Sequence, residues 1–179
     1  MFGRRDAIVG AGKFIAALDA MAYDMNGYTT ITNIQSRPFG LCNIQSKTKV
    51  VFCLNHKQAK GLDDMGSAVL DKIKAIANLH GLEYELEPLM CLYPGDFTPE
   101  AVDCVRRACG EKGIPSRTGT GHDSLNTVLK CPTGMVFVRA KNGISHCAKE
   151  WSDKEDCSQG ALALGKAVLN YDDLLSKKS

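Results

Sequence analysis

Pro132-Thr133-Gly134-Met135-Val136-Phe137-Val138-Arg139-Ala140-Lys141-Asn142-Gly143-Ile144-Ser145-His146 is the stretch on which the reading of this chain turns. Met135 to Val138 is an unbroken apolar run, the pattern of a strand covered on both faces in an α/β layer. Asn142-Gly143 is turn chemistry, since both residues tolerate a positive φ. Ile144-Ser145-His146 then brings an imidazole to a strand end, where a neutral ring is a good metal ligand. A lone histidine is more often structural, so the motif needs support from elsewhere in the chain.

Some of that support lies just upstream, in Thr118-Gly119-Thr120-Gly121-His122-Asp123. Glycine removes the Cβ that would hold a ligand away, so Gly121 and the His122 imidazole can line a binding pocket. Taken alone, an ordinary turn with a solvated histidine explains the same residues. Cys147 adjoins His146 and suggests a thiol nucleophile. On an extended segment, however, neighbouring side chains point to opposite faces, and this pairing is set aside.

Farther from this stretch the pattern is mostly helical. From Asp6 to Met25, Ile8, Ala11, Ile15, Leu18 and Ala22 recur at spacings of three and four, and Asn26-Gly27 ends the run. Tyr28 to Ser36 and Lys49 to Leu54 read as strands joined by a loop containing Arg37-Pro38-Phe39-Gly40. Asp63 to His80 is a second helix stopped by Gly81, and Glu83 to Leu92 a further strand. Helix, strand, strand, helix, strand is a split βαβ sandwich lacking its first strand. Such a sandwich exposes an unpaired edge that favours self-association.

The register changes after Tyr93-Pro94-Gly95-Asp96, which marks a domain boundary. Thr98-Pro99 opens a helix with Val102, Val105 and Cys109 on one face, and Gly113 ends it. The last helix opens with a capping box from Ser152 to Glu155 and buries Leu164, Val168, Tyr171 and Leu175. Asp63-Asp64 and Asp172-Asp173 read as a helix start and a solvated face.

Composition narrows the function classes. The 22 basic and 20 acidic residues leave a net charge of +2, without the broad cationic field that nucleic-acid binding needs. No stretch is apolar enough to span a bilayer, and no secretory signal is legible, which predicts a cytoplasmic protein. The 8 cysteines are spread along the chain, several of them inside apolar runs, and form no C-x-x-C, so reduced, mostly buried thiols are expected rather than a disulfide or zinc framework.

Gly119 to Asp123, Pro132 to Val138 and Gly143 to His146, followed by Glu150 and Glu155-Asp156, together resemble in order and spacing the closing third of N-carbamoyl-amino-acid hydrolases, allantoate amidohydrolases and β-alanine synthases. These belong to the two-metal family of aminoacylases and carboxypeptidase-type metallopeptidases. Arg4-Arg5-Asp6-Ala7, Arg37-Pro38 and the strand ending at Leu54 are similar, more loosely, to that family's lid and dimerisation domain.

The resemblance implies an α/β fold in two incomplete parts. Residues 1–96 would be a ferredoxin-like βαββαβ lid without its first strand, and 97–179 the C-terminal segment of the catalytic domain. It implies hydrolysis of a linear amide or amidine C–N bond in a small molecule, with two zinc or manganese ions, and a homodimer formed through the lid.

His146 matches the last metal ligand of the family, while Gly121 and His122 match the substrate loop. Asn43 matches a lid asparagine that contacts substrate. Lys57, in Asn55-His56-Lys57, stands where the family has the arginine of Asp-x-Arg, and offers a carboxylate a charge without a bidentate fork. The family's other ligands and its general base lie upstream of the matched region. One ligand cannot hold a two-metal cluster, so the chain is expected to be inactive alone, as a truncated hydrolase or as a non-catalytic paralogue serving dimerisation or regulation. A small-molecule binding domain using the open sheet is the plainer alternative.

Overall fold

Asp6 starts the first helix, α1 (Ala7–Asp24), by accepting hydrogen bonds from the backbone N–H groups of Ile8 and Val9, both at 3.2 Å. In this computed structural model, which describes residues 3–119 and 121–178, the chain forms two compact units that divide between Pro94 and Gly95.

In the first unit, α1 leads into β1 (Tyr28–Arg37) and β2 (Lys47–Asn55), an antiparallel hairpin followed by α2 (Ala59–His80). Thr32 is an extra residue between the Ile31 and Asn33 pairings, a bulge whose hydroxyl donates to the Val51 carbonyl at 3.3 Å. Both helices pack against the hairpin. Phe14, Leu18, Met21 and Ala22 of α1 meet Met65 and Val69 of α2, with Ile31, Phe52 and Leu54 closing the core from the sheet side. Phe14 and Phe52 meet edge to face, with centroids 5.6 Å apart. The buried stripe of α1 thus runs through Phe14, Leu18 and Met21, rotated from the predicted one, and Ile8 faces solvent. Gly81 ends α2 in the left-handed conformation at φ 62°, which glycine adopts without steric cost.

The predicted strand at 83–92 does not join a sheet. The segment is outside regular secondary structure, and the sheet among the described residues has two strands. A strand is defined by its ladder partner, and none lies beside this segment.

The second unit contains α3 (Pro99–Cys109), a short α4 (Ser124–Thr127) and α5 (Lys154–Ser176). α3 packs on α5 through Ala101, Cys104 and Ala167, and Asn170 of α5 donates to the Cys104 carbonyl at 3.2 Å. Val102, expected on the packed face of α3, is exposed. Thr98 precedes α3 as predicted, but its hydroxyl accepts from the Thr133 backbone N–H at 3.1 Å rather than capping the helix. The predicted Ser152–Glu155 capping box is likewise absent: Asp153 is the N-cap of α5, and its carboxylate accepts from the Trp151 indole N–H at 3.0 Å.

Met135 to Val138, the apolar run of the opening stretch, is also outside regular secondary structure. It lies against the helices: Gly134 lets the backbone come close to Ala101 and Val105, and Gly160 in α5 makes room for Val138. The outer side remains open, with Phe137 61% exposed. Of the apolar residues predicted to be buried on α5, Leu164, Val168 and Leu175 are open too, about half exposed or more, and Tyr171 is half-buried.

The cysteines are all free. Cys104 is buried and Cys109 half-buried, whereas the other six are exposed, against the expectation of buried thiols. Cys53, for example, lies in a strand covered on one face only, so its apolar neighbours did not predict burial.

Candidate functional site

The His146 loop is built from turns. Lys141 to Gly143 forms a single 3-10 turn, with Asn142 at φ 58° and Gly143 at φ 66°, and the Lys141 N–H donates to the Trp151 carbonyl at 2.8 Å to close the loop base. His146 itself has φ 60°, a left-handed conformation uncommon outside glycine and found disproportionately where a side chain is held for a purpose. Its backbone N–H donates to the Glu150 carboxylate at 2.9 Å, and the residue is exposed. The expected strand end is therefore a pinned loop. That also removes the extended-segment argument about Cys147, although no hydrogen bond joins it to His146 among the described residues. Glu150 was legible as part of the motif, but its role as the clamp was not. The signal for it is an acidic side chain four residues after the histidine.

The second histidine is oriented by its neighbour. Ser124 donates its backbone N–H to His122 Nδ1 at 3.1 Å, and the Ser124 hydroxyl lies 3.0 Å from the same nitrogen. With its lone pair engaged there, the neutral His122 ring carries its proton on Nε2, the remaining polar atom of this exposed side chain. Ser124 is 9% exposed and begins α4, so the ring is held by a buried residue at the start of a helical turn. Gly121 adjoins His122 in the loop as predicted, whereas Thr120 of the same motif lies outside the described residues. Sequence reasoning missed Ser124, whose signal is a hydroxyl two residues after the histidine.

Asn43 and Lys57 belong to the first unit. Asn43 lies in the hairpin loop, which is closed by the Ser46 N–H donating to the Arg37 carbonyl at 2.9 Å and tied to α1 by the Ala7 N–H donating to the Gln45 carbonyl at 3.1 Å. Lys57 follows β2 in an exposed turn, where the His56 ring accepts from the Gln58 N–H at 3.0 Å. All of β2 separates the two, a span of roughly 27 Å at 3.3–3.4 Å per strand residue. One small molecule therefore cannot touch both Asn43 and Lys57 of a single copy.

Among the described residues no group of three or more histidine, cysteine, aspartate or glutamate side chains is placed to hold a metal ion. His146, the expected ligand, is not part of such a group among the described residues. No helix among the described residues is long and apolar enough to cross a membrane.

Comparison with known proteins relates the chain to a family. The chain is 28% identical over 174 residues to the N-carbamoyl-L-amino-acid amidohydrolase of Pseudomonas sp. (strain NS671), covering 94% of this chain and 42% of that protein. It is 30% identical over 170 residues to the N-carbamoyl-L-amino acid amidohydrolase of Geobacillus stearothermophilus, covering 92% and 41%. The solved structure of an amidase of the hydantoinase/carbamoylase family from Burkholderia vietnamiensis superposes with a TM-score of 0.84 at 30% identity, over 93% of this chain and 41% of that one. The chain thus spans about two-fifths of the length of the relatives it matches. Amidohydrolases of this kind generally depend on divalent metals. With the family profile matching residues 4–170, the chain belongs to Peptidase family M20/M25/M40.

Proposed function

We propose that this chain carries part of the recognition surface and one metal ligand of a hydrolase of linear C–N bonds, acting on an N-carbamoyl amino acid, allantoate or a β-ureido acid. The observation that carries this reading is His146, exposed in a loop clamped by Glu150 and Trp151, within a chain whose relatives are amidohydrolases. In the complete fold that ring is one ligand of a zinc or manganese pair. His122, with its Nε2 proton, donates to a carbonyl or carbamoyl oxygen of the substrate beside Gly121. Lys57 supplies charge for a substrate carboxylate, and Asn43 an amide.

Residues 1–96 act on this reading as the lid, of ferredoxin-like type, and residues 97–179 as the end of the catalytic domain. The separation of Asn43 from Lys57 supports a homodimer through the lid, because a two-fold pair can set the hairpin tip of one copy beside the strand end of the other. No hydrolytic step follows from the described residues alone, since they assemble neither a metal centre nor a general base.

The purified chain is accordingly expected to show no turnover of N-carbamoyl-β-alanine or allantoate above background, with or without added manganese or zinc. Clear turnover under either condition overturns the proposal that the chemistry needs groups outside these residues. A non-catalytic paralogue serving dimerisation is the second reading, favoured by the packed core of the first unit and by the lack of a ligand cluster among the described residues. Co-production with the unmatched part of the Burkholderia vietnamiensis amidase separates the two: gain of activity supports the hydrolase, and a complex without activity supports the paralogue.

A further inference from the structure

We propose that the second unit binds a planar organic anion, an aromatic ring carrying a carboxylate, in the cavity between the two arms of the 141–151 loop. His146 does not line this cavity, so the proposal stands apart from the functional reading above.

The cavity has a volume of about 530 Å³ and is lined by Lys141, Asn142, Ile144, Lys149 and Trp151, all residues of the second unit. Small-molecule sites have volumes of roughly 300–1,000 Å³, so a single ring with one acidic substituent fits with room for water. Its two walls are joined by backbone. The Lys141 N–H donates to the Trp151 carbonyl at 2.8 Å, and the Ile144 N–H to the Lys141 carbonyl at 3.2 Å. On the other arm the Glu150 N–H donates to the Cys147 carbonyl at 3.0 Å. A ligand therefore enters a loop whose backbone is already held, and does not spend affinity on ordering it.

Charge selects an anion. Lys141 and Lys149 bring two ammonium groups to the lining, which contains no carboxylate. Among the described residues neither lysine is in an ion pair. The two acidic side chains nearest in sequence have partners of their own: Glu150 accepts from the His146 N–H at 2.9 Å, and Asp153 from the Trp151 indole N–H at 3.0 Å. Two lysines on opposite arms thus face the cavity without an internal counter-ion, and a ligand carboxylate supplies one.

The indole selects a ring. Tryptophan is among the more buried side chains on average, yet Trp151 is 60% exposed. Its polar tip is already satisfied by Asp153, so what it offers a ligand is the face of the ring, held in orientation by that bond. Ile144, half-buried, adds apolar surface beside it, and the exposed amide of Asn142 adds one donor and one acceptor. A compact anion such as inorganic phosphate would use the lysines and leave the indole and Ile144 wet. A neutral ring would use the indole and leave both ammonium groups without a partner. An aromatic carboxylate uses all of them.

Trp151 is the single tryptophan, so its fluorescence and its one indole N–H signal in a nitrogen–proton correlation spectrum report on this cavity directly. The full chain is titrated with benzoate, benzyl alcohol, acetate and inorganic phosphate. Benzoate should shift the indole signal saturably, at least about tenfold more tightly than each of the other three probes, and should weaken as salt is raised. Lys141→Gln and Lys149→Gln should each weaken benzoate by about threefold or more, and Lys141→Arg and Lys149→Arg should restore it, with far-UV circular dichroism of all four matching the parent. Equal binding of benzyl alcohol overturns the role of charge, and equal binding of phosphate or acetate overturns the role of the ring. Unsaturable quenching like that of free N-acetyltryptophanamide, or benzoate binding unchanged in both glutamine variants, overturns the site. A shift of the indole signal that follows chain concentration and is untouched by benzoate overturns the proposed ligand in favour of a second copy of the chain. Hydrolysis is not the readout, so failure here is distinct from failure of the functional reading.

Discussion

The two units are held together differently. The first buries long side chains, Phe14, Leu18, Met21, Met65 and Val69, between two helices and a hairpin. The second buries mainly short ones, Ala101, Cys104 and Ala167 with Ser124 and Thr133, and leaves Leu162, Leu164, Val168 and Leu169 of α5 in solvent. Both candidate histidines lie in the second unit, on loops fastened by a few polar contacts: Glu150 and Trp151 at the His146 loop, Ser124 at His122. The comparison teaches that the larger buried side chains lie in one unit and the two candidate histidines in the other, on loops open to a ligand, while Asn43 and Lys57 are exposed on the first.

Four measurements can break or sharpen that contrast. Leu18→Ala, at a site with no exposure, should cost about 3 kcal/mol in urea unfolding followed by circular dichroism. Trp151, the single tryptophan, lies in the second unit, so its fluorescence reports that unit separately. A loss below 1 kcal/mol would mean that the first unit has no specific core.

Tyr93 is next. The Asp63 carboxylate, by hydrogen bond and by charge, pushes its phenol up to about 12, so the favourable interaction is complete below the ordinary tyrosine value near 10 and is lost as pH rises through about 12. Absorbance titration should show one late tyrosine, which Asp63→Asn returns to the others; a titration unchanged by Asp63→Asn removes the tether that fixes the end of segment 83–92.

In the second unit the Arg106 guanidinium, through its hydrogen bond, holds the Asp103 carboxyl below its ordinary value, with Arg107 adding to the effect. Its contribution is therefore present above roughly pH 4 and fades as pH falls further. Asp103→Asn should flatten the acid limb of unfolding monitored at Trp151, and an unchanged limb would show that this ion pair does not steady α3. The smallest effect belongs to Leu164→Ser, expected within about 0.5 kcal/mol of the parent because the residue is 56% exposed. A cost above 1 kcal/mol would mean that α5 is covered in solution and that the contrast between the units is weaker than drawn.

Much of the first unit was legible from residue types alone. The helical spacing from Asp6, Asn26-Gly27 and Gly81 as stops, and the alternation from Tyr28 are local signals, and the elements formed within a few residues of where those signals put them. Ala59 starts α2 four residues before Asp63, since Gln58 follows the His56 turn and the helical pattern is polar there. The site was legible as a set of motifs. Its clamps were not, because Glu150 and Ser124 act through backbone contacts that no periodicity marks.

What the amino-acid order determined by itself is the four long helices, the hairpin and membership of the family, each written in spacing, turn chemistry or ordered motifs. Only the tertiary structure decided that 83–92 and 135–138 remain without ladders, that six cysteines face solvent, and that Asn43 and Lys57 lie a strand length apart. The physical reason is that a helix satisfies its hydrogen bonds from its own residues, whereas a strand, a buried thiol or a shared site exists only when a distant partner arrives. Apolar sequence states that a partner is wanted, and packing alone states whether one is there.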